Sequence, residues 1–181
     1  MTNRIHKFGI SGADMEKTVF LGLGSNLGDR EHNLSRAVEM IGEEIGKVID
    51  CSSVYETEPW GFRSDDRFLN MVVRLRTCLN ASGLLGRILM IEAQLGRLRG
   101  GKGYKSRTMD IDILLYGSQV IKKQELEIPH PRIADRRFVL EPLCELVPGM
   151  LHPVLKVPFS ELLDKCTDEC VVSVKHPFSI F

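Results

Sequence analysis

The sequence predicts an α+β fold in which helices pack on an antiparallel sheet. Several segments alternate apolar and polar residues, as half-buried strands do. Between them lie two segments with apolar residues at helical spacing, which indicate amphipathic helices. No internal repeat or linker divides the 181 residues. We therefore expect a polar N-terminal extension over residues 1–17, followed by one domain over residues 18–181.

The first half of the pattern runs from a strand to a second β-rich segment. Residues 18–26, TVFLGLGSN, begin as an apolar strand and end in a glycine-rich turn. We interpret GLGSNLGD, residues 22–29, as a tight turn with a helix-capping aspartate that contributes to the wall of a pocket. An amphipathic helix is predicted over 29–46, and the short segment 47–57 is rich in β-forming residues.

The second half repeats this order. Residues 68–78 are predicted to form a strand with Leu69, Met71, Val73 and Leu75 on one face. A second helix over 80–96 follows, with Asn80 or Ser82 as its N-cap and Gly96 as its end. The next strand lies in RTMDIDILLYG, residues 107–117. The resulting order β-α-β-β-α-β is that of the ferredoxin-like fold.

The last third of the chain adds smaller elements. We predict a hairpin in residues 120–128, a proline-containing loop after it, and one or two short helices over 138–146 and 159–166.

Composition excludes several classes of protein. Twenty-four basic and 24 acidic residues give a net charge of zero, so the chain as a whole is not suited to hold a nucleic-acid backbone. The chain contains no run of about 18 apolar residues, so the sequence predicts no membrane span. The N-terminal segment lacks the apolar centre of a signal peptide. The five cysteines are scattered, without a zinc pattern. We expect a cytoplasmic protein with reduced thiols.

Two acids interrupt an otherwise apolar strand in RTMDIDILLYG. Residues two apart face the same side of a strand, so Asp110 and Asp112 point together with their backbones about 6.5–7 Å apart. Met109, Ile111, Ile113 and Leu115 are then expected on the opposite face. Such a pair can hold Mg²⁺ together with phosphate oxygens. The alternative is a pair of exposed acids in salt bridges with neighbouring lysines.

A basic, glycine-rich segment precedes the two acids. RLRGGKGYKSR, residues 97–107, holds five cations and no acid. A mobile cationic loop beside two carboxylates suits a metal-bound polyphosphate, because the acids hold the metal and guanidinium groups hold the phosphates. The alternative is a solvated basic turn, but the adjacent aspartates favour the functional hypothesis.

Two further segments offer aromatic and polar groups. ETEPWGFRSDDRFLN, residues 56–70, places Phe68 and Asn70 on one strand face, where they could stack on a flat heterocycle and bind its edge. These aromatics could equally cover the core. In IPHPRIADRRF, residues 128–138, a histidine lies near several arginines, which suits a phosphate contact.

These segments together resemble a known family. GLGSNLGD, ETEPWG…FLN, IEAQLGRLR, RTMDIDILLYG and IPHPR…DRRFVLEPL occur in the order found in 6-hydroxymethyl-7,8-dihydropterin pyrophosphokinases, and the resemblance covers about Val19 to Pro148. That family has a ferredoxin-like α+β fold. It transfers the β,γ-pyrophosphoryl group of ATP, with two Mg²⁺, to the hydroxymethyl oxygen of the pterin and releases AMP, a step in folate biosynthesis.

The resemblance also implies a role for each matching residue. Asp110 and Asp112 resemble the ligands of both magnesium ions, and with Arg97 and Arg107 they form the predicted catalytic set. The ATP-binding residues implied are Glu92, Arg97, Arg99, Arg107, His130 and Arg136. The pterin-binding residues implied are Thr57, Pro59, Trp60, Phe68, Asn70 and Phe138. Closure of residues 97–106 is expected to exclude water from the reaction.

Two other functions compete with this prediction. One is a two-metal phosphohydrolase with water as the acceptor; the other is a ferredoxin-like module that binds nucleotides or nucleic acid. The zero net charge and the aspartate pair argue against the second. We expect a monomer whose partners are ATP and hydroxymethyldihydropterin, with association with other folate-pathway enzymes as a further possibility. No nucleic-acid or membrane partner is expected.

Overall fold

The computed structural model describes residues 16–59, 66–97 and 106–179. Most of the predicted N-terminal extension, residues 1–15, lies outside these ranges. The described elements, in chain order, are β1 (Lys17–Ser25), α1 (Arg30–Glu44), β2 (Lys47–Cys51), β3 (Val54–Thr57), β4 (Phe68–Thr77), α2 (Ala81–Gln94), β5 (Asp110–Tyr116), β6 (Ile121–Lys123), β7 (Leu126–Ile128), α3 (Arg137–Leu146), α4 (Phe159–Asp164) and β8 (Val172–His176).

Six of the strands form one antiparallel sheet in the order β5-β1-β4-β3-β8, with β2 also paired to β4. Strands β6 and β7 form a separate hairpin. The prediction of an α+β protein with helices on an antiparallel sheet is confirmed. The central strands β1 and β4 each pair with more than one neighbour, so they hold β5 and β3 on either side of the middle of the sheet.

Helices cover both faces of this sheet. One face packs against α1 and α2, whose buried side chains include Leu34, Ile41, Leu84 and Ile88. The other face packs against α3 and α4 through a second cluster that contains Phe159 and other apolar residues of these helices. The strand residues alternate between the two clusters, as a period of two requires. The prediction of one or two short helices in the last third of the chain is confirmed, since α3 and α4 are both present.

Both helices that pack on the first face begin at predicted caps. The Asp29 carboxylate accepts the backbone N–H of His32 at 3.0 Å, at the start of α1. Asn80, one of two cap candidates, accepts the N–H of Gly83 at 2.9 Å, at the start of α2. Each cap satisfies a backbone donor that the first turn of a helix leaves unpaired. The glycine-rich segment before α1 is therefore held in a fixed position at the end of β1.

Segment 47–57 is divided into two strands that share the same partner. Between β2 and β3, the backbone N–H of Ser52 donates to the carbonyl of Val72 at 2.9 Å, and the Ser52 hydroxyl accepts the N–H of Val72 at 2.9 Å. The hydroxyl thus replaces a backbone acceptor where the register changes. Periodicity alone does not reveal such a break, because the serine side chain satisfies the local hydrogen bonds.

One face assignment in β5 is wrong. Met109, Ile111 and Ile113 lie in the α1–α2 core as predicted, but Leu115 lies in the α3–α4 cluster together with Leu114. The register between β1 and β5 shifts by one residue at this point, so that Phe20 pairs with Leu115 while Leu21 pairs with Ile113. The extra residue is a β-bulge, and it moves every later side chain to the other face.

The C-terminal part contributes an edge strand that the sequence did not predict. Strand β8 pairs with β3, with Val172 opposite Thr57. Within the described ranges, no helix is both long and apolar enough to cross a membrane.

Candidate active site

Three adjacent strands of the sheet form the floor of a cleft on the face that also carries α3. In the strand register, Asp110 of β5, Gly24 of β1 and Asn70 of β4 lie in one row, and Asp112, Gly22 and Val72 lie in the next. Because the middle member of each row is a glycine, no side chain rises between the aspartates and the residues of β4. We call this space the apolar cleft; its lining is completed mainly by Thr57, Glu58, Phe68, Leu114, Arg107, Arg136, Phe138 and Val139.

The walls of the apolar cleft carry two aromatic rings and one amide. Phe68 begins β4, and Phe138 lies in the first turn of α3, so the rings come from different elements. The Asn70 side-chain N–H donates to the Thr57 hydroxyl at 2.7 Å, and both residues are buried. This bond fixes the amide, whose carbonyl oxygen lies beside Gly24. A flat ring between the aromatics would meet this amide at its edge.

A second space lies on the other side of the same two carboxylates, between α2 and the β6–β7 hairpin. We call it the charged depression. Its lining includes Asp110 and Asp112, and beyond them the side chains of Leu85, Ile88, Leu89, Glu92, Arg97, Glu125, Glu127 and His130. One apolar part of this lining comes from α2, and further apolar residues, from β5 and the hairpin, lie among the charged ones. Asp110 and Asp112 are therefore shared by both spaces.

Two arginines neutralise Asp110. The Arg97 guanidinium lies 2.6 Å from Asp110 Oδ1, and that of Arg107 lies 2.5 Å from Asp110 Oδ2. Glu92, which is 1% exposed, also pairs with Arg97 and accepts the backbone N–H of Ile111 at 2.9 Å. A buried carboxylate is tolerated when it is paired and hydrogen-bonded in this way. Glu92 thereby fixes both Arg97 and the start of β5.

The groups that pair with Asp112 lie farther from it than the two arginines lie from Asp110. Asp112 Oδ2 lies 3.5 Å from the Arg136 guanidinium and 3.9 Å from His130 Nε2. Burial, and next the charge of Asp110, raise the pKa of Asp112, while Arg136 and Arg107 oppose the change. A further cation would stabilise the ionised form of Asp112, because it would offset the repulsion between two neighbouring negative charges in a partly desolvated place.

His130 is held as a neutral imidazole. Burial, together with the charges of Arg136 and Arg132, lowers the pKa of His130 to about 4. Its Nδ1 accepts the backbone N–H of Arg132 at 3.2 Å. The remaining proton of the neutral ring therefore lies on Nε2, the nitrogen closer to Asp112. This N–H can donate to a phosphate oxygen.

The turn after β1 holds the segment that leads into β5. The Asn26 side-chain carbonyl accepts the backbone N–H of Arg107 at 2.7 Å, and the Asn26 backbone N–H donates to the Arg107 carbonyl at 3.1 Å. Ser25 and Asn33 both donate to the carbonyl of Thr108, at 2.6 and 3.2 Å. Arg107 is thus anchored through its backbone on one side and directed at Asp110 on the other.

The predicted site residues come together, with few exceptions. All those that the structure describes line one of the two spaces, except Pro59, whose place in the cleft lining is taken by Glu58. Trp60 and Arg99 lie outside the described residues, as does most of the basic loop expected to close over the site.

Sequence reasoning missed the two strand glycines, the Asn26 network and the apolar residues of α2 in the charged depression. The signal that could have identified the glycines is their spacing of two within β1. This spacing puts Gly22 and Gly24 on the same face of the sheet, where they leave space for a ligand.

The donor set suits a hard divalent cation that arrives with a ligand of its own. In the described part of the chain, no group of three or more His, Cys, Asp or Glu side chains could by itself hold a metal ion. Two carboxylates on one face are what Mg²⁺ needs when phosphate oxygens and water fill its other positions. The residues present therefore fit magnesium bound together with a polyphosphate.

Comparison with known proteins agrees with this chemistry. The model of the family described as 7,8-dihydro-6-hydroxymethylpterin-pyrophosphokinase matches residues 20–148, more than half of the chain. The chain belongs to this family. The predicted function is confirmed: the chain transfers pyrophosphate from ATP to hydroxymethyldihydropterin in folate biosynthesis.

Several relatives are similar over nearly their whole length. The 2-amino-4-hydroxy-6-hydroxymethyldihydropteridine pyrophosphokinase of Aquifex aeolicus is 41% identical over 144 residues, which are 80% of this chain and 89% of that protein. The protein of the same name from Porphyromonas gingivalis is 46% identical over 143 residues, 77% of this chain and 97% of its own. The match therefore spans nearly the full length of both of these relatives.

Solved structures show the same fold. A Plasmodium falciparum HPPK-DHPS variant superposes with a TM-score of 0.68 at 18% identity, covering 86% of this chain and 45% of that one. At this identity the likeness concerns the fold alone. The Pneumocystis carinii folic acid synthesis protein, which is 35% identical over 87% of this chain, is also much longer, since the match covers 21% of it.

Proposed function

We propose that this pyrophosphokinase binds the pterin in the apolar cleft and ATP in the charged depression. The observation that supports this most strongly is that Asp110 and Asp112 line both spaces. Whatever these carboxylates hold lies in contact with both substrates at once. A transfer between two substrates requires this shared boundary, because the reacting atoms must approach to about 3–3.5 Å.

Asp110 and Asp112 are proposed to hold two Mg²⁺ ions that enter with ATP. When bound, magnesium would neutralise phosphate charge and lower the pKa of the hydroxymethyl group. The raised pKa of Asp112 supports this assignment, since a nearby cation removes its electrostatic cost.

The cationic side chains are proposed to orient the triphosphate. Arg97 and Arg107 flank Asp110 from two sides, and Arg136 and His130 lie nearest to Asp112. Phosphate oxygens placed over the aspartates would therefore be within reach of several guanidinium groups. Charge that develops on the bridging and terminal oxygens during transfer would be stabilised by these preorganised donors. Arg99, on the basic loop, is proposed to join them.

The apolar cleft is proposed to orient the pterin by stacking and by one amide. Phe68 and Phe138 would enclose the ring, while Asn70 would accept a hydrogen bond from its edge. The bond from Asn70 to Thr57 determines which atom of the amide faces the substrate. Backbone groups from Thr57 to Trp60 are proposed to complete the edge, with Pro59 contributing shape.

In the charged depression, the apolar side chains of α2 are proposed to contact the adenine base. Leu85, Ile88 and Leu89 are the apolar residues that α2 contributes to its lining. A base has a flat face that suits such a surface, whereas the phosphates need the cations. The nucleotide would therefore lie with its base towards α2 and its phosphates over the aspartates.

Three broader assignments complete the proposal. The strand order β5-β1-β4, with β2 and β3 both paired to β4, supports a ferredoxin-like sheet, extended by β8. We also propose that the protein acts in the cytoplasm as a monomer. Association with another folate-pathway enzyme is supported by the names of its structural neighbours, which are HPPK-DHPS proteins.

The experiment that tests the proposal measures AMP formed from ATP as hydroxymethyldihydropterin and Mg²⁺ are varied independently. We expect no AMP unless both are present. AMP released without the pterin would support a phosphohydrolase, and unchanged activity in excess chelator would contradict the metal assignment. Binding of single-stranded nucleic acid that competes with neither substrate would support the binding-module alternative.

A further inference from the structure

Helix α3 receives its N-terminal cap from the C-terminal part of the chain. In the described structure, the residue at its N-cap position, Arg136, makes no side-chain capping hydrogen bond. Instead, the Asp168 carboxylate accepts the backbone N–H of Arg137 at 3.0 Å, and Arg137 Nε donates to the Asp168 carbonyl at 3.1 Å. A carboxylate at this position satisfies a free backbone donor and interacts favourably with the helix dipole.

The turn held in this way carries two residues of the active site. Arg136 and Phe138 lie directly before and after Arg137, and both line the apolar cleft. The Arg136 guanidinium lies 5.6 Å from the centre of the Phe138 ring and 3.5 Å from Asp112 Oδ2. A shift of the first turn of α3 would therefore move both an aromatic wall of the cleft and a cation beside the aspartates.

A few residues further on, the same segment joins the opposite wall. Val172 is paired with Thr57 in the sheet, and the Ser173 hydroxyl donates to the carbonyl of Glu56 at 3.4 Å. The backbone N–H of Cys170 donates to Asp168 Oδ1 at 3.1 Å, which links the cap to the strand. Residues 168–173, which we call the tail strap, therefore connect α3 to the end of β3.

We propose that the tail strap sets the width of the apolar cleft and that Asp168 is a positioning residue for Phe138 and Arg136. This inference rests on the proposed binding of the pterin in that cleft. The strap lies beyond residue 148, where the match to the family model ends. It gives the C-terminal part of the chain a function in substrate binding that the motifs of the family do not contain.

The test compares Asp168→Ala with a matched acid on α4. Glu161 forms an exposed ion pair with Lys165 and is not among the described residues that line the cleft. We expect Asp168→Ala to raise the KM for hydroxymethyldihydropterin about tenfold, since a small misplacement of a binding group has effects of this size. Glu161→Ala should leave this KM unchanged. Asp168→Asn, which keeps an oxygen acceptor, should restore most of the affinity.

A double-mutant cycle separates positioning from general stability. If Asp168 acts through Phe138, the Asp168→Ala substitution should change the pterin KM by less than about twofold in a Phe138→Ala background. Equal effects in both backgrounds would overturn the inference. So would an Asp168→Ala protein that melts at a lower temperature but keeps the wild-type pterin KM. If Phe138→Ala alone leaves pterin binding unchanged, the cleft assignment itself fails.

If the Asp168→Ala protein does not fold, Arg137→Ala provides a second test of the proposal. It removes the Nε donor to the Asp168 carbonyl but keeps the backbone cap. We expect a severalfold higher pterin KM, and an unchanged value would contradict the proposal.

Discussion

The two spaces on either side of Asp110 and Asp112 are lined by different sets of side chains. The apolar cleft combines rings, aliphatic side chains and two strand glycines with the guanidinium groups of Arg107 and Arg136, and its shape is set by packing between the sheet and α3. The charged depression is lined by apolar side chains of α2, β5 and the β6–β7 hairpin, and by several acids, Arg97 and the neutral His130. One space is defined by shape, and the other by the balance of charge.

This difference predicts where substitutions take effect. In the apolar cleft, removing a side chain takes away contact area that the substrate needs in both its ground state and its transition state, so binding is lost. In the charged depression, removing a cation takes away a group that matters most as charge redistributes, so turnover is lost. The two carboxylates between the spaces should affect turnover most of all.

The largest effect is expected at the shared carboxylates. Asp112→Asn should lower kcat by about three orders of magnitude, because it removes a proposed metal ligand at the point of transfer. The measurement is AMP formation at saturating substrates, with circular dichroism to confirm the fold. Asp50→Asn is a matched control, since Asp50 forms a comparable ion pair with Arg74 at 2.8 Å on a neighbouring strand. Wild-type turnover in Asp112→Asn would contradict the metal role.

The next effect concerns the charged depression. Arg97→Ala should lower kcat about 100-fold while the pterin KM stays nearly constant, because Arg97 faces the proposed phosphate site. Arg87→Ala serves as the control, because Arg87 forms a 3.9 Å ion pair with Glu44 and is not among the residues that line either space. A change confined to the pterin KM would assign Arg97 to the other space and remove the contrast between them.

A smaller effect is expected in the apolar cleft. Phe138→Ala should weaken pterin binding by about 1–3 kcal/mol through lost stacking, while kcat at saturation changes less. Calorimetric titration with the pterin measures this directly. Phe159→Leu provides the comparison, because Phe159 belongs to the same apolar cluster but is fully buried away from the cleft. It should lower the melting temperature and leave the pterin affinity unchanged.

The smallest effect tests the floor of the cleft. A Cβ added to Gly24 would lie 3.1 Å from the Asn70 amide oxygen, whereas one added to Gly22 would lie 3.4 Å from the Leu114 methyl groups. Gly24→Ala should therefore weaken pterin binding by about 1 kcal/mol, as close contacts in packed sites do. Gly22→Ala should have less effect. If Gly24→Ala binds the pterin as well as the wild type does, Asn70 does not contact its edge.

Local patterns succeeded wherever one element decides the outcome. The alternation in β5 placed Asp110 and Asp112 on one side of the strand. The register with β1 agrees, since Asp110 lies opposite Gly24 and Asp112 lies opposite Gly22. Phe68 and Asn70 were placed together for the same reason. The same rule failed at Leu115, because a bulge depends on how β1 pairs with β5 and leaves no mark in the period of a single strand.

The sequence by itself determined most of the strands and helices, the caps of α1 and α2, and the chemistry of the aspartate pair with its arginines, because these follow from periodicity and from neighbours in the chain. Only the tertiary structure decided that Phe138 and Phe68 line the same cleft, that Asn26 anchors Arg107, and that the tail reaches back to α3. These contacts join residues far apart in the chain. They depend on the packing of the sheet between two layers of helices, which no local pattern encodes.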